Sequence, residues 1–169
     1  MVILETERLN LRKLSESDAG FILELLNEPS FLQNIGDKGV RNNDDAIRYI
    51  LTGPIDSYQR HGFGQWLVEL KDSGVPVGMC GLMKKDSLPD VDIGFAFLPR
   101  FWSKGYAVEA ASAVMAYGSR DLGLRRIVAV VNPDNEGSIR VLEKIGLKFE
   151  RMVKLAEDKA EIKLFTPAK

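Results

Sequence analysis

The feature that most constrains the fold is a change of pattern in the middle of the chain. Before it, three apolar runs follow one another with only short turns between them: Phe63 to Leu70, Pro76 to Met83 and Val91 to Leu98. Strands joined so closely pair antiparallel. After it, a helical pattern that opens at Gly105 leads to the short apolar run Ile127 to Val131, which is typical of a buried parallel strand. An antiparallel meander continued by a strand–helix–strand unit is therefore predicted.

Shorter patterns extend this frame toward the N-terminus. Alternating residues 9–14 predict a first strand, and Ser15 is placed to cap the helix that follows. Periodicity then fades from Asn27 to Asn43, where a mobile loop with an apolar tip is expected. Asn43 or Asp44 should cap a second helix that reaches about Arg60 and breaks or kinks at Gly53-Pro54.

At the C-terminal end, Asn135 is placed to cap a helix that ends at Gly146. A hairpin of residues 147–155 and 161–165 closes the chain, turning at residues 157–159. No linker or repeat interrupts the 169 residues, which are predicted to form a single domain over residues 1–169 with a mixed α/β (α+β) fold.

Composition excludes several classes of function. A net charge of −1 gives no field for holding nucleic acid, and the single His61 and single Cys80 exclude a disulfide, a cysteine-rich zinc site and a two-histidine metal site. Acidic residues and an arginine stand where a signal peptide needs apolar ones, and no run of about 18 apolar residues occurs. The expectation is a cytoplasmic protein that needs no metal and binds no membrane.

The most informative segment for chemistry runs from Leu98 to Ala107, LPRFWSKGYA. A strand that passes through a short turn into a helix leaves backbone N–H groups pointing outward at the positive end of the helix dipole, which suits a phosphate. Gly105 allows a ligand to approach the backbone, and Ala107 keeps the first turn uncrowded. The alternative is an ordinary turn with a solvated Lys104, and the sequence contains neither a Walker A motif nor a Gly-x-Ser-x-Gly elbow.

A second such junction, residues 132–147, follows the next strand along the chain. Together the two segments resemble the GNAT superfamily of acyl-CoA-dependent N-acetyltransferases. The opening TERLNLR, residues 6–12, with Asp18-Ala19 is similar to the branch of ribosomal-protein N-acetyltransferases (RimJ/RimL-like). The resemblance implies a mostly antiparallel, twisted sheet of six to seven strands with about four helices. The sheet would be splayed between its fourth and fifth strands, with acetyl-CoA in the gap.

The resemblance also implies the cofactor-binding residues. The pantetheine arm would pair with the backbone near Phe97 and Leu98 and meet Asn132 and Asn135. The pyrophosphate would be held by the loop Trp102, Ser103, Lys104, Gly105, Tyr106 and Ala107. Three positions depart from the family pattern: Trp102 replaces a Gln or Arg, Leu142 replaces a Tyr acid found in many relatives, and Val130 replaces a Glu base found in some.

The remaining candidates for catalysis are Ser138 and Asp92. Ser138 is expected either to protonate the leaving sulfur or to cap its helix, and Asp92 is expected to act as a base through water, with Glu69 as the alternative. His61 is expected to be a surface or packing residue. Cys80 and Trp66 are expected to lie in the core.

The absence of the family's base at Val130 and of its acid at Leu142 favours an acceptor amine that loses its proton easily. Neutralising a lysine costs about 3.5 kcal/mol more than neutralising an α-amine at the same pH. The expected acceptor is therefore an N-terminal α-amine, or another amine of lowered pKa, that attacks directly in a ternary complex. The acceptor side would be formed by the loop from Pro29 to Gly39 and by the turn near Glu157 and Asp158, whose carboxylates suit a cationic acceptor.

Three alternatives stay open at this point. The enzyme could instead acetylate a small amine such as a polyamine, an amino sugar or an antibiotic. The chain could be a non-catalytic domain that binds coenzyme A, or an interaction module that binds no nucleotide. The oligomeric state expected is a monomer or a homodimer.

Overall fold

The computed structural model describes residues 2–168, which contain an eight-stranded sheet. Its strands are β1 (Val2–Glu5), β2 (Leu9–Arg12), β3 (Gln65–Leu70), β4 (Pro76–Met83), β5 (Val91–Phe97), β6 (Ile127–Val131), β7 (Leu147–Val153) and β8 (Ile162–Pro167). The strand order is β1-β2-β3-β4-β5-β6-β8-β7. The predicted mixed, mostly antiparallel sheet is confirmed, and β1 is a strand that the sequence patterns did not predict.

The sheet opens where β5 meets β6, the only parallel pair within residues 2–168. Only Val91 with Ile127 and Asp92 with Val128 are in register, after which the two strands separate. On its other edge β6 pairs with β8 through Ala129, so it stays within the sheet while it leaves β5. The predicted splay between these two strands is confirmed, and it leaves the C-terminal half of β5 without a neighbour on one side.

In the described part of the chain, residues 2–168, six α-helices cover the two faces of the sheet. They are α1 (Ala19–Leu26), α2 (Pro29–Asn34), α3 (Asn43–Ile50), α4 (Asp56–His61), α5 (Tyr106–Arg120) and α6 (Glu136–Lys144). On one face α5 packs on a core that includes Trp66 and Cys80, as expected for those two residues. On the other face α1 and α3 enclose a second core with Leu67 and Met79. Within residues 2–168, no helix has the length and apolar character that crossing a bilayer requires.

Two local expectations need correction. The stretch predicted to be a mobile loop contains α2, which begins at Pro29 and buries Phe31 to 5% exposure. The helix is too short to show a period in the sequence. The helix that Asn43 or Asp44 was expected to cap is capped by Asn42, whose side-chain oxygen accepts the Asp45 N–H at 2.8 Å. Its α-helical winding is interrupted at Gly53-Pro54 by a π-helical turn at Leu51–Ile55, and the helix continues to His61.

Candidate active site

The open edge of β5 offers unpaired backbone groups to a ligand. The N–H of Leu98 donates to the carbonyl of Val77 on β4 at 3.0 Å. Because the backbone groups of successive residues in a strand point to opposite sides, those of Phe97 and Phe95 point the other way, into the gap toward β6. Such an edge can hydrogen-bond an extended, amide-containing ligand as an added strand would.

Two residues refine the predicted pantetheine contacts on this edge. The N–H of Leu98 is engaged with Val77 and its carbonyl accepts from Phe101, so the structure leaves no free N–H at Leu98. The carbonyl of Phe97 accepts the indole N–H of Trp102 at 2.8 Å. Leu98 therefore has no free N–H to offer a ligand, whereas the backbone of Phe95 faces the gap, and Trp102 places a neutral indole at this edge.

The loop that follows β5 leads into a helix start that no side chain caps. Gly105 is the N-cap of α5 with φ of 85°, and Ser103 has φ of 64°. The first backbone bond of the helix runs from the Glu109 N–H to the Gly105 carbonyl at 3.0 Å. The N–H groups of the first turn are thus free of capping side chains and stand at the positive end of a 15-residue helix, as an anion site requires.

A cleft with a volume of about 660 Å³ joins this loop to the open strand edge. It brings together most of the predicted site residues: Phe97, Trp102, Ser103, Gly105, Tyr106, Ala107, Asn135 and Ser138. Among the predicted residues, Asp92, Leu98, Lys104 and Asn132 do not line the cleft. The predicted loop after β5 and the start of α6 after β6 therefore meet at one cavity, because β5 and β6 are neighbours in the sheet.

At the start of α6, the helix cap is supplied by Asn135 and not by Ser138. The side-chain oxygen of Asn135 accepts the Ser138 N–H at 3.3 Å, so Asn135 is the capping residue. The Ser138 hydroxyl is not the cap, and its residue faces the cleft. Asn132 has a local role, because its side-chain oxygen accepts the Asp134 N–H at 3.0 Å.

Asp92 lies at the closed end of the splay, away from the cleft. It is 1% exposed, and one carboxylate oxygen lies 2.8 Å from the Lys85 ammonium. Within residues 2–168 the other oxygen has no hydrogen-bond partner. Burial raises the pKa of Asp92, and the charge of Lys85 opposes the shift only in part.

Three other residues considered in the sequence analysis are engaged in ion pairing, stacking or core packing. Glu69 forms an ion pair with Arg12 at 2.8 Å and does not line the cleft. His61 stacks on Phe63 with ring centroids 5.6 Å apart. Leu142 is 2% exposed in the core, so the position of a possible tyrosine acid is filled by packing.

One wall of the cleft comes from the segment that was predicted to be a loop. Glu28, the N-cap of α2, is half-buried and lines the cleft together with Phe31 and Asn34. The turn containing Glu157 and Asp158 does not line it. No sequence pattern marked Glu28, since a carboxylate before a proline is common on any surface; only the packing of α2 brings it here.

These features fit coenzyme A by their chemistry. Its pantetheine arm carries amides that match the open edge at Phe95 and Phe97, and its pyrophosphate matches the uncapped N–H groups of α5. The two sites lie along one continuous cleft, which extends to the Ser138 side of α6. The arrangement can hold a long, amide-containing phosphate ester with its far end between β5 and α6.

Known proteins match this chain over nearly its whole length. The family model described as "Acetyltransferase (GNAT) domain" matches residues 8–148. The Bacillus subtilis protein named "Uncharacterized N-acetyltransferase YoaA" is 34% identical over 155 residues, covering 90% of this chain and 86% of that protein.

Solved structures repeat the architecture. A GNAT-family acetyltransferase from Bacillus anthracis superposes with a TM-score of 0.80 at 27% identity, covering 98% of this chain and 96% of that one. The RimL ribosomal L7/L12 α-N-protein acetyltransferase in complex with coenzyme A superposes with a TM-score of 0.84 at 20% identity, covering 98% and 97%. With the family model spanning both the splayed strands and the loop, the chain belongs to the GNAT family of N-acetyltransferases.

Proposed function

We propose that this GNAT enzyme transfers an acetyl group from acetyl-CoA to the α-amine of a protein or peptide N-terminus. The observation that carries the proposal is the shared cleft, in which Glu28 on α2 faces the same cavity as the phosphate-binding loop and Ser138. A carboxylate at that wall attracts a primary ammonium.

The surroundings of Asp92 favour an amine of low pKa. Asp92 shares its strand face with Gly94 and Ala96, and Ala96 lines the cleft about 13 Å of strand away, at about 3.3 Å per residue. A base at that distance acts only along a chain of several waters, and its orphaned carboxylate oxygen offers a place for the first of them. An α-amine, which loses its proton about 3.5 kcal/mol more easily than lysine, suits such a base.

In this proposal the thioester of acetyl-CoA supplies the carbonyl carbon that the amine attacks. The backbone N–H of Phe95, which lies deeper along the open edge of β5 than that of Phe97, stabilises the carbonyl oxygen as it becomes negative. Asp92 accepts, through water, the proton that the ammonium loses before it attacks. The hydroxyl of Ser138 donates its proton to the departing sulfur and takes one from the nitrogen of the tetrahedral intermediate, so that no alkoxide is left.

The proposal is tested by measuring release of the coenzyme A thiol with two panels of acceptors. One panel contains peptides with free N-termini that differ in their first residues. The other contains polyamines, amino sugars and aminoglycosides. Higher kcat/KM for the best peptide than for any small amine supports the proposal, and the reverse ranking overturns it in favour of a small-molecule acetyltransferase.

A control separates activity from simple binding. Ser138→Ala should lose turnover while it binds acetyl-CoA as the wild type does. If the wild type binds acetyl-CoA and turns over no amine in either panel, the chain is a coenzyme A-binding domain and the proposal fails.

A further inference from the structure

The N-terminal residues Thr6 and Arg8 belong to a motif that the cleft does not explain. They lie in the turn between β1 and β2, and neither lines the cavity. Thr6 nevertheless contacts the first turn of α5, and Arg8 contacts both that turn and the phosphate-binding loop, about a hundred residues away in sequence. A motif that reaches this far across the fold to one loop points to a role at that loop.

Arg8 makes a dense set of contacts there. Its Nε donates to Glu109 Oε1 at 2.7 Å, and its Nη1 donates to the carbonyl oxygen of Lys104 at 2.9 Å. The backbone N–H of Arg8 donates to Glu109 Oε2 at 2.9 Å, and the Thr6 hydroxyl donates to the same oxygen. The guanidinium also lies over the ring of Tyr106, 4.5 Å from its centroid.

The hydrogen bond from Arg8 to the carbonyl of Lys104 fixes the direction of the Gly105 N–H. The carbonyl of Lys104 and the N–H of Gly105 belong to one planar trans peptide unit, so they point in opposite directions. Arg8 lies behind the loop, whereas Gly105 lines the cleft. Holding the carbonyl toward Arg8 therefore turns the Gly105 N–H away from Arg8, toward the side where a phosphate would lie.

The loop needs such support, because its backbone is strained. Ser103 has φ of 64°, a left-handed conformation that residues other than glycine rarely adopt. Such conformations persist only where neighbouring contacts enforce them. The guanidinium of Arg8 holds in place the carbonyl of Lys104, the residue that follows Ser103.

The geometry points to Arg8 as a positioning residue that aims the Gly105 amide at a phosphate of the acetyl donor. Glu109 and Thr6 in turn hold Arg8 in its orientation. The inference rests on the proposed use of this loop for the phosphates of acetyl-CoA. It assigns the N-terminal motif to donor binding, with Arg8 acting through the loop and without touching the donor.

The test compares Arg8→Gln and Arg8→Lys with Arg126→Gln. Arg126 is a matched control: its side chain is 44% exposed against 42% for Arg8, and it pairs with Asp90 at 3.0 Å on a different part of the surface. The Kd for coenzyme A is measured by calorimetry, and the Kd for pantetheine, which lacks the pyrophosphate, by NMR titration. Thermal melting of each variant checks that it is folded.

Arg8→Gln is expected to raise the Kd for coenzyme A at least tenfold and to leave the Kd for pantetheine within twofold. Arg8→Lys should not restore binding, because an ammonium cannot hold Glu109 and the Lys104 carbonyl in the fixed fork of a guanidinium. Arg126→Gln should change neither Kd.

Three results would overturn the inference. These are an unchanged Kd for coenzyme A in folded Arg8→Gln, an equal loss for both ligands, and full rescue by Arg8→Lys, which would show that charge alone matters. If Arg8→Gln does not fold, Glu109→Gln takes its place and must weaken coenzyme A selectively in the same way. Failure of the donor assignment is distinguishable, since the wild type itself would then not bind coenzyme A.

Discussion

Substituting Gly105 with alanine should separate the strain of a left-handed residue from the loss of donor binding. Gly105 has φ of 85° and Gly62, at the end of α4, has φ of 81°. Alanine in this conformation costs about 1–2 kcal/mol. A Cβ at Gly62 would meet nothing within 4 Å, whereas one at Gly105 would lie 3.2 Å from Nη2 of Arg8. The two substitutions therefore share the backbone cost, and only Gly105→Ala crowds the loop.

Both variants should lose about 1–2 kcal/mol of stability, which lowers Tm by roughly 2–8 °C for a domain of this size. Gly105→Ala should also lose a hydrogen bond from the loop to phosphate, as Arg8 yields and the peptide turns. A hydrogen bond to a charged group contributes about 1.5–3 kcal/mol, so the Kd for coenzyme A should rise roughly 10- to 150-fold.

Calorimetric titration with coenzyme A and thermal melting measure both effects on the same samples. Gly62→Ala should bind coenzyme A as the wild type does despite its lower Tm. If Gly105→Ala binds coenzyme A within twofold of Gly62→Ala, the loop amides do not hold the donor as argued.

Three further predictions concern the acceptor side and the reaction. Ser138→Ala should lower kcat at least tenfold with the Kd for acetyl-CoA unchanged, and an unchanged kcat would remove Ser138 from the reaction. Glu28→Gln should raise KM for the amine several-fold without changing the Kd for acetyl-CoA; an effect on the donor alone would contradict its place at the acceptor wall. Because burial raises the pKa of Asp92 in the folded state, the folded protein binds that proton more tightly, and stability falls as pH rises out of the ordinary carboxyl range. Asp92→Asn should therefore gain stability relative to the wild type as pH rises toward neutrality in thermal melts, while its kcat falls; a relative loss with rising pH would contradict the burial argument.

The strands and the phosphate-binding loop were predictable because local patterns encode them. The meander is visible as apolar runs with short turns, and the anion site as a glycine between a strand and a helix. The splay itself was implied by family resemblance, since no local pattern tells where two parallel strands stop pairing. Strand β1 was not predicted, because its four residues do not alternate between the core and the surface. The two middle residues are half-buried and the two end residues are exposed.

The parts that sequence reasoning could not reach depend on tertiary contacts. The wall containing Glu28 requires α2, which is stabilised by burying Phe31 and is too short to leave a period in the sequence. The engagement of Leu98 with Val77 follows from the register of β4 and β5, which fixes the side to which each backbone group points. The contacts of Arg8 join residues about a hundred positions apart, and nothing local to TERLNLR indicates its partner.

The most direct test of the central claim is to determine which amines of a peptide library the enzyme acetylates from acetyl-CoA. Each peptide has randomised first residues and one internal lysine, and a second copy of the library has its N-termini blocked by formylation. Fragmentation mass spectrometry after incubation with enzyme and acetyl-CoA locates the acetyl group. The account predicts acetylation of free α-amines, selective for certain first residues, and no enzyme-dependent modification of the blocked library. Acetylation of lysine at equal rates in both libraries, or of no peptide at all, would contradict it.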